Sequence, residues 1–171
     1  MKKQSFFLFL FSLIIIVLAF YYRQQLEQFK SFGLFGIFLI NLLGSATIFL
    51  PAPAIATVFA GGFLYPPFLV ALFAALGSSI GEMTGYMLGH SGKRIFFGEK
   101  NHFLYQILNR LFKKYGGLVI VVVSFIPNPF FDAVGIIAGA FSYSPYRFFV
   151  YLLVGRLIRD LLLAYIGSSI Y

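Results

Sequence analysis

The chain has 171 residues, 60% of them hydrophobic and 11% charged, with a net charge of +8 and a mean hydropathy of +0.91. Soluble domains carry about 25% charged residues, so this composition excludes an ordinary soluble domain and points to an integral membrane protein of one domain. Cysteine is absent, which excludes disulfides. The surplus of Lys and Arg reads as cytoplasmic loops and anionic headgroups and not as a nucleic-acid partner, because the aromatics sit in apolar runs.

Lys2 and Lys3 precede an apolar run from Phe6 to Tyr22, just long enough to cross about 30 Å of hydrocarbon. A signal peptide is the competing reading, but the run ends in AFYYRQQ without a small-x-small cleavage site. Residues 1–32 are therefore expected to form an uncleaved anchor, its amino end in the cytoplasm, and a polar linker. Phe32 to Ala60 is apolar but interrupted: Asn41, Gly44, Ser45 and Thr47 lead to Pro51 and Pro53. Proline removes a backbone donor and clashes with the preceding turn. The segment is either one kinked transmembrane helix or a re-entrant hairpin with the prolines at its tip.

Pro66 and Pro67 open a long apolar helix over Phe68 to Leu88, with Gly77, Gly81, Gly85 and Gly89 on one face and Glu82 on or near it. Small residues at that spacing let another backbone approach closely. The segment from His90 to Tyr115 is basic, with Phe103, Leu104, Ile107, Leu108, Leu111 and Phe112 recurring at helical spacing. That is the pattern of a cytoplasmic helix lying in the membrane surface. Gly116 and Gly117 separate it from Leu118 to Phe125, which runs into a second proline break at Pro127 and Pro129. Asn128 and Asp132 are the polar side chains there. A last helix covers Tyr146 to Ile166, with Arg156, Arg159 and Asp160 inside it.

A shift of 78 residues superposes two halves: Ala60, Gly61, Phe63 and Tyr65 fall on Ala138, Gly139, Phe141 and Tyr143, and Glu82 falls on Asp160. Counting crossings from a cytoplasmic amino terminus turns the halves opposite ways. The expected fold is an all-α membrane protein: an inverted repeat of two re-entrant helical hairpins plus transmembrane helices. The halves cover about 33–90 and 117–168 of a domain spanning 33–171, with the basic amphipathic loop 91–116 between them.

The stretches FLPAPAIATVFAGGFLYPP, GSSIGEMTGYMLGHSGKR and FIPNPFFDAVGIIAGAFSYSPYRFF resemble the DedA family, also called the SNARE-associated Golgi or VTT domain, over roughly residues 33–168. The resemblance implies two opposed re-entrant hairpins and a role in moving lipids between leaflets, undecaprenyl phosphate in bacterial members and phospholipids in eukaryotic ones. The best-known bacterial members carry an acid before the first hairpin and another beside its proline, where this chain has Asn41 or Ser45 and Ala54. They also carry arginines where this chain has Ser124 and Asn128. The Pro-Asn-Pro-x-x-Asp form is more similar to the vacuole membrane protein branch.

Charges inside a membrane are costly unless paired or wet. Glu82, Asn128, Asp132, Arg156, Arg159 and Asp160 are the candidate polar track for a lipid headgroup, the arginines holding phosphate and the carboxylates exchanging protons or sodium. The competing reading is ion pairs that fix helix packing. No Ser–His arrangement, HExxH or paired-aspartate motif appears, so no enzyme, cofactor or metal is expected, and His90 and His102 do not have metal-site spacing. The expected function is a flippase or scramblase for a phosphate-bearing lipid in a prokaryotic cytoplasmic membrane; the alternative is a non-transporting scaffold for envelope homeostasis. The expected partners are anionic membrane lipids, with proton or sodium coupling and a homo-oligomer both compatible with the sequence.

Overall fold

A computed structural model describes residues 33–46, 51–92, 103–126 and 133–170. Six helices and no strands occur among them. They are α1 (Gly33–Ala46), α2 (Pro51–Leu64), α3 (Pro67–Ser91), α4 (Phe103–Phe125), α5 (Ala133–Ala140) and α6 (Pro145–Ser168). The second proline break, with Pro127, Asn128, Pro129 and Asp132, lies outside the described residues, as do the anchor and linker at 1–32 and part of the basic loop.

Both long helices begin the same way. Pro67 and Pro145 occupy the first turn of α3 and α6, where the missing N–H costs nothing and the fixed φ is already helical. At 1.5 Å per residue, α3 is about 37 Å long and α6 about 36 Å, whereas α1 and α2 reach only about 21 Å each. Among the described residues, α3 is the one helix both long and apolar enough to cross a membrane by length and composition. α6 matches it in length but carries Arg147, Arg156, Arg159 and Asp160.

α1 and α2 fold back on each other. Asn41 reaches Thr57, and a methyl group added at Gly61 would come within 2.8 Å of Ile37 Cδ1, so the two helices run antiparallel. α1 then lies along α3 in the same direction, Phe38 against Gly77 and Leu42 against Gly81, backbone on backbone. α5 also runs parallel to α3, with Gly135 beside Glu82 and Gly139 beside Tyr86 and His90. α4 runs along α6 in the same sense, Gly117 beside Tyr151 and Gly155 beside Val121. α3 and α6 themselves are antiparallel, since Glu82 meets Arg156 while Tyr86 stacks on Phe148.

The contacts recur between the halves, at a spacing of 78 residues in α3 and α6 and of 77 in α2 and α5. Gly89 of α3 packs on the Ile136 carbonyl of α5, and Gly167 of α6 packs on the Phe59 carbonyl of α2. Gly139 of α5 meets the Tyr86 carbonyl, and Gly62 of α2 meets that of Ala164, where Tyr86 and Ala164 are themselves 78 apart. Two apolar clusters share the pattern. Tyr86, Phe148 and Leu152 centre one, with Ile120 and Ala138; Ala164, Val70 and Ala74 centre the other, with Ile37 and Val58.

The basic helix and the apolar run after it, expected as two elements split at Gly116 and Gly117, are two helical segments within α4 that meet at a kink one residue before that pair. Only Tyr115 departs from helical geometry (φ −130°, ψ 16°). Gly116 and Gly117 stay helical under the rings of Tyr143 and Tyr151. α5 is short because it closes on a left-handed residue: Ser142 has φ 53°, and Tyr143 N–H donates to the Ala138 carbonyl and Ser142 N–H to that of Gly139, a Schellman-type ending.

Phe35, Leu43, Met87, Leu118, Leu162 and Ile166 stay exposed on the outer faces of α1, α3, α4 and α6. Soluble proteins rarely carry such a continuous apolar surface; in hydrocarbon it is the expected exterior.

Candidate functional site

The centre of the bundle is polar. Glu82 is the middle residue of three small-residue turns of α3, so it faces the neighbouring helices and is 1% exposed. Arg156 lies midway along α6 and is 3% exposed. Their side chains form an ion pair, Arg156 Nη2 to Glu82 Oε2. In such a dry setting each charge is tolerated because the other is there.

Each partner of the pair also bonds to one of the shorter helices. Arg156 Nη1 donates to Ser45 Oγ at 3.2 Å, and Ser45 is the penultimate residue of α1. Gly135 N–H, in the first turn of α5, donates to Glu82 Oε1 at 3.2 Å. Donors in a first helical turn have no intrahelical acceptor, and a carboxylate there also complements the positive end of the helix dipole. Thr84 Oγ1 lies 3.3 Å from the Ala46 carbonyl, a second tie between α3 and the end of α1. Two long helices and two short ones thus converge on one ion pair.

The second acidic residue is held differently. Asp160 is fully buried, and its Oδ1 accepts from Arg159 Nε at 2.8 Å, with Arg159 Nη2 at the same distance. Arg159 is its chain neighbour, so this pair ties nothing across the bundle. The 78-residue spacing puts Ser78, not an arginine, at the position equivalent to Arg156. Among the described residues, Asp160 Oδ2 and Asn41 Oδ1 are buried acceptors without a hydrogen-bond partner.

Asn41 is fully buried in α1. Its amide donates to the Ile37 carbonyl at 2.9 Å and to Thr57 Oγ1 at 3.3 Å, and the Thr57 hydroxyl donates to the Ala54 carbonyl at 2.7 Å. This chain of bonds locks α1 against α2. Asn41→Ala should cost about 1–3 kcal/mol by leaving Thr57 and the cavity unsatisfied, read as a lowered unfolding temperature in detergent, with Thr57→Val costing less.

Of the residues singled out from sequence, Glu82 and Arg156 come together, and Arg159 and Asp160 come together. Asn128 and Asp132 lie outside the described residues. Pro51 opens α2 and Pro53 follows in its first turn; Pro127 and Pro129 are not described. The direct partners of the central pair, Ser45 and the Gly135 amide, were not legible as such. A serine six residues before a proline break was the signal for the first; a backbone amide leaves none.

A helical bundle with an apolar exterior and a buried charged centre is a membrane protein with an internal polar site. The profile of the VTT domain matches residues 50–169, more than half of the chain, and the chain belongs to that family. It is also 29% identical over 136 residues to an uncharacterized protein of Methanocaldococcus jannaschii, covering 78% of this chain and 83% of that protein. No solved structure matches it.

Proposed function

We propose that the protein translocates a phosphate-bearing lipid, undecaprenyl phosphate or a phospholipid, between the leaflets of a membrane. The observation that carries this reading is the convergence of α1, α3, α5 and α6 on the buried Glu82–Arg156 pair. The family is linked with membrane lipid transport and homeostasis, which supports it further. In this reading α1–α2 and α4–α5 are opposed re-entrant hairpins of an inverted repeat. Their antiparallel long helices and recurring glycine contacts are what such a repeat requires.

The chemistry follows from the donors. A guanidinium binds phosphate by parallel N–H···O bonds. An entering headgroup competes with Glu82 for Arg156, and the freed carboxylate keeps its bond to the α5 amide, or takes up a proton or sodium ion. Exchange of one anion for another on Arg156 avoids the bare buried charge that would otherwise block the path. Asp160 and Asn41 supply further polar surface, and Asn128 and Asp132 are assigned to the same track.

A second reading, a non-transporting scaffold, is favoured by the internal matching of Glu82 with Arg156 and Arg159 with Asp160. Dithionite quenching of fluorescent lipid in liposomes carrying the purified protein separates the two. Transport is expected to quench beyond the outer-leaflet half, and more for anionic than for zwitterionic lipid. Full insertion with the inner leaflet protected, with and without a proton or sodium gradient, would overturn translocation and leave the scaffold.

A further inference from the structure

Between α1 and α2 lies a cavity of about 540 Å³, open on one side. Its walls are almost wholly apolar, formed by Ile37 and Leu39 of α1 and by Thr57, Ala60, Gly61 and Leu64 of α2. Pockets of roughly 300–1,000 Å³ accommodate small ligands. A crevice of this kind on a lipid-facing surface is suited to hydrocarbon, and what surrounds it selects one kind.

Polarity rises along one line of α1. Ile37, Asn41 and Ser45 follow at four-residue intervals, so they stack on a single face over about 12 Å. Ile37 lines the cavity. Asn41 bonds to Thr57, which also lines it. Ser45 accepts from Arg156. The stripe therefore passes from an apolar crevice, through an amide and a hydroxyl, to a guanidinium. A phosphate-bearing lipid has the same gradient from tail to headgroup.

We infer that the crevice between α1 and α2 is the site for one acyl or prenyl chain of that lipid, bound with its phosphate directed along the Ile37–Asn41–Ser45 stripe toward Arg156. The inference rests on the proposed lipid substrate, but binding needs no transport and is measured separately from it. Gly61 in the crevice wall lets α1 pack close to α2: a methyl group added there would come within 2.8 Å of Ile37 Cδ1 and 3.0 Å of Val70 Cγ1.

The chain contains no tryptophan, so a single introduced one reports its own surroundings. Leu64→Trp and, independently, Leu39→Trp place a reporter in the crevice of the full chain, and Leu162→Trp places one on the outer face of α6, half exposed. Each is reconstituted in phosphatidylcholine vesicles doped with a few mole per cent of phosphatidylglycerol brominated on its tails. Site binding is expected to enrich brominated lipid beside the crevice reporters about tenfold over its bulk fraction, while the α6 reporter is quenched in proportion to that fraction. Brominated diacylglycerol, which lacks phosphate, should show no such enrichment.

Proportional quenching at all three positions would overturn the site. Crevice reporters that stay unquenched even in fully brominated phosphatidylcholine would also overturn it, showing the crevice covered by protein, the apolar run from Phe6 to Tyr22 being the candidate. Equal enrichment of brominated diacylglycerol would remove the phosphate from the proposal. Enrichment without transport in the dithionite assay would keep the binding site and discard translocation.

Discussion

Arg156→Gln is expected to destabilise the protein by about 3–5 kcal/mol, the cost of leaving a buried carboxylate without its counter-charge. Glu82 cannot escape to water, because its side chain is 2% exposed in the ion pair, and the glycines beside it on α3 hold α1 and α5 at backbone contact. Glu82→Gln should cost at least as much, since it strands the Arg156 guanidinium, which cannot shed its proton, whereas a stranded carboxylate can take one up. The double variant Glu82→Gln/Arg156→Gln is expected to recover most of the loss, because no net charge is then buried. Thermal or denaturant unfolding in detergent checks all three. A double variant as unstable as the sum of the singles would mean that the two residues do not act as a pair.

The same set of variants addresses function. A folded double variant lacks the guanidinium, so a phosphate headgroup has nothing to exchange onto. Translocation is expected to be lost in it although stability is largely restored. A scaffold with purely structural charges would behave the other way and follow stability alone.

Much of the helical framework was legible because it rests on local signals. The apolar run from Phe68 and the one from Tyr146 became α3 and α6 within a few residues, each opened by a proline at its start. The interruption before Pro51 was legible as a break, but not whether it kinks one helix or folds two together. That depends on contacts such as Asn41 with Thr57, which join residues sixteen apart. The site was legible only as a collection of charges. Self-comparison aligned Glu82 with Asp160, like with like, while the structure pairs Glu82 with Arg156 across 74 residues. An internal repeat shows which residues occupy equivalent places; which of them meet depends on how the halves pack. The Gly-Gly pair at 116–117 was a local signal of the same kind as the prolines: the chain kinks at Tyr115, directly before it, although the glycines themselves stay helical under two tyrosine rings.

The glycines where helices cross should be sensitive as well, though less than the ion pair, and in a symmetrical way. Adding one methyl group in Gly89→Ala drives a carbon into the Ile136 carbonyl of α5, and Gly167→Ala does the same to the Phe59 carbonyl of α2. Neither carbonyl belongs to a flexible side chain, so a whole helix must shift. Overpacking of this kind costs about 1–3 kcal/mol, against a helix-propensity gain of about 1 kcal/mol for replacing glycine with alanine. The larger Gly89→Val and Gly167→Val should separate α3 from α5 and α6 from α2 outright. Gly116→Ala is the contrasting case. Its added methyl group meets Tyr143 Cε2 at 2.7 Å, and a ring turns aside more readily than a backbone, so the propensity gain should leave it close to neutral. Unfolding in detergent is expected to rank Gly89→Ala and Gly167→Ala together and Gly116→Ala apart from both. If Gly89 and Gly167 differed sharply, the recurrence of contacts 78 residues apart would be a likeness of shape without a likeness of load, and the argument for two equivalent halves would fail at the crossings where it is strongest.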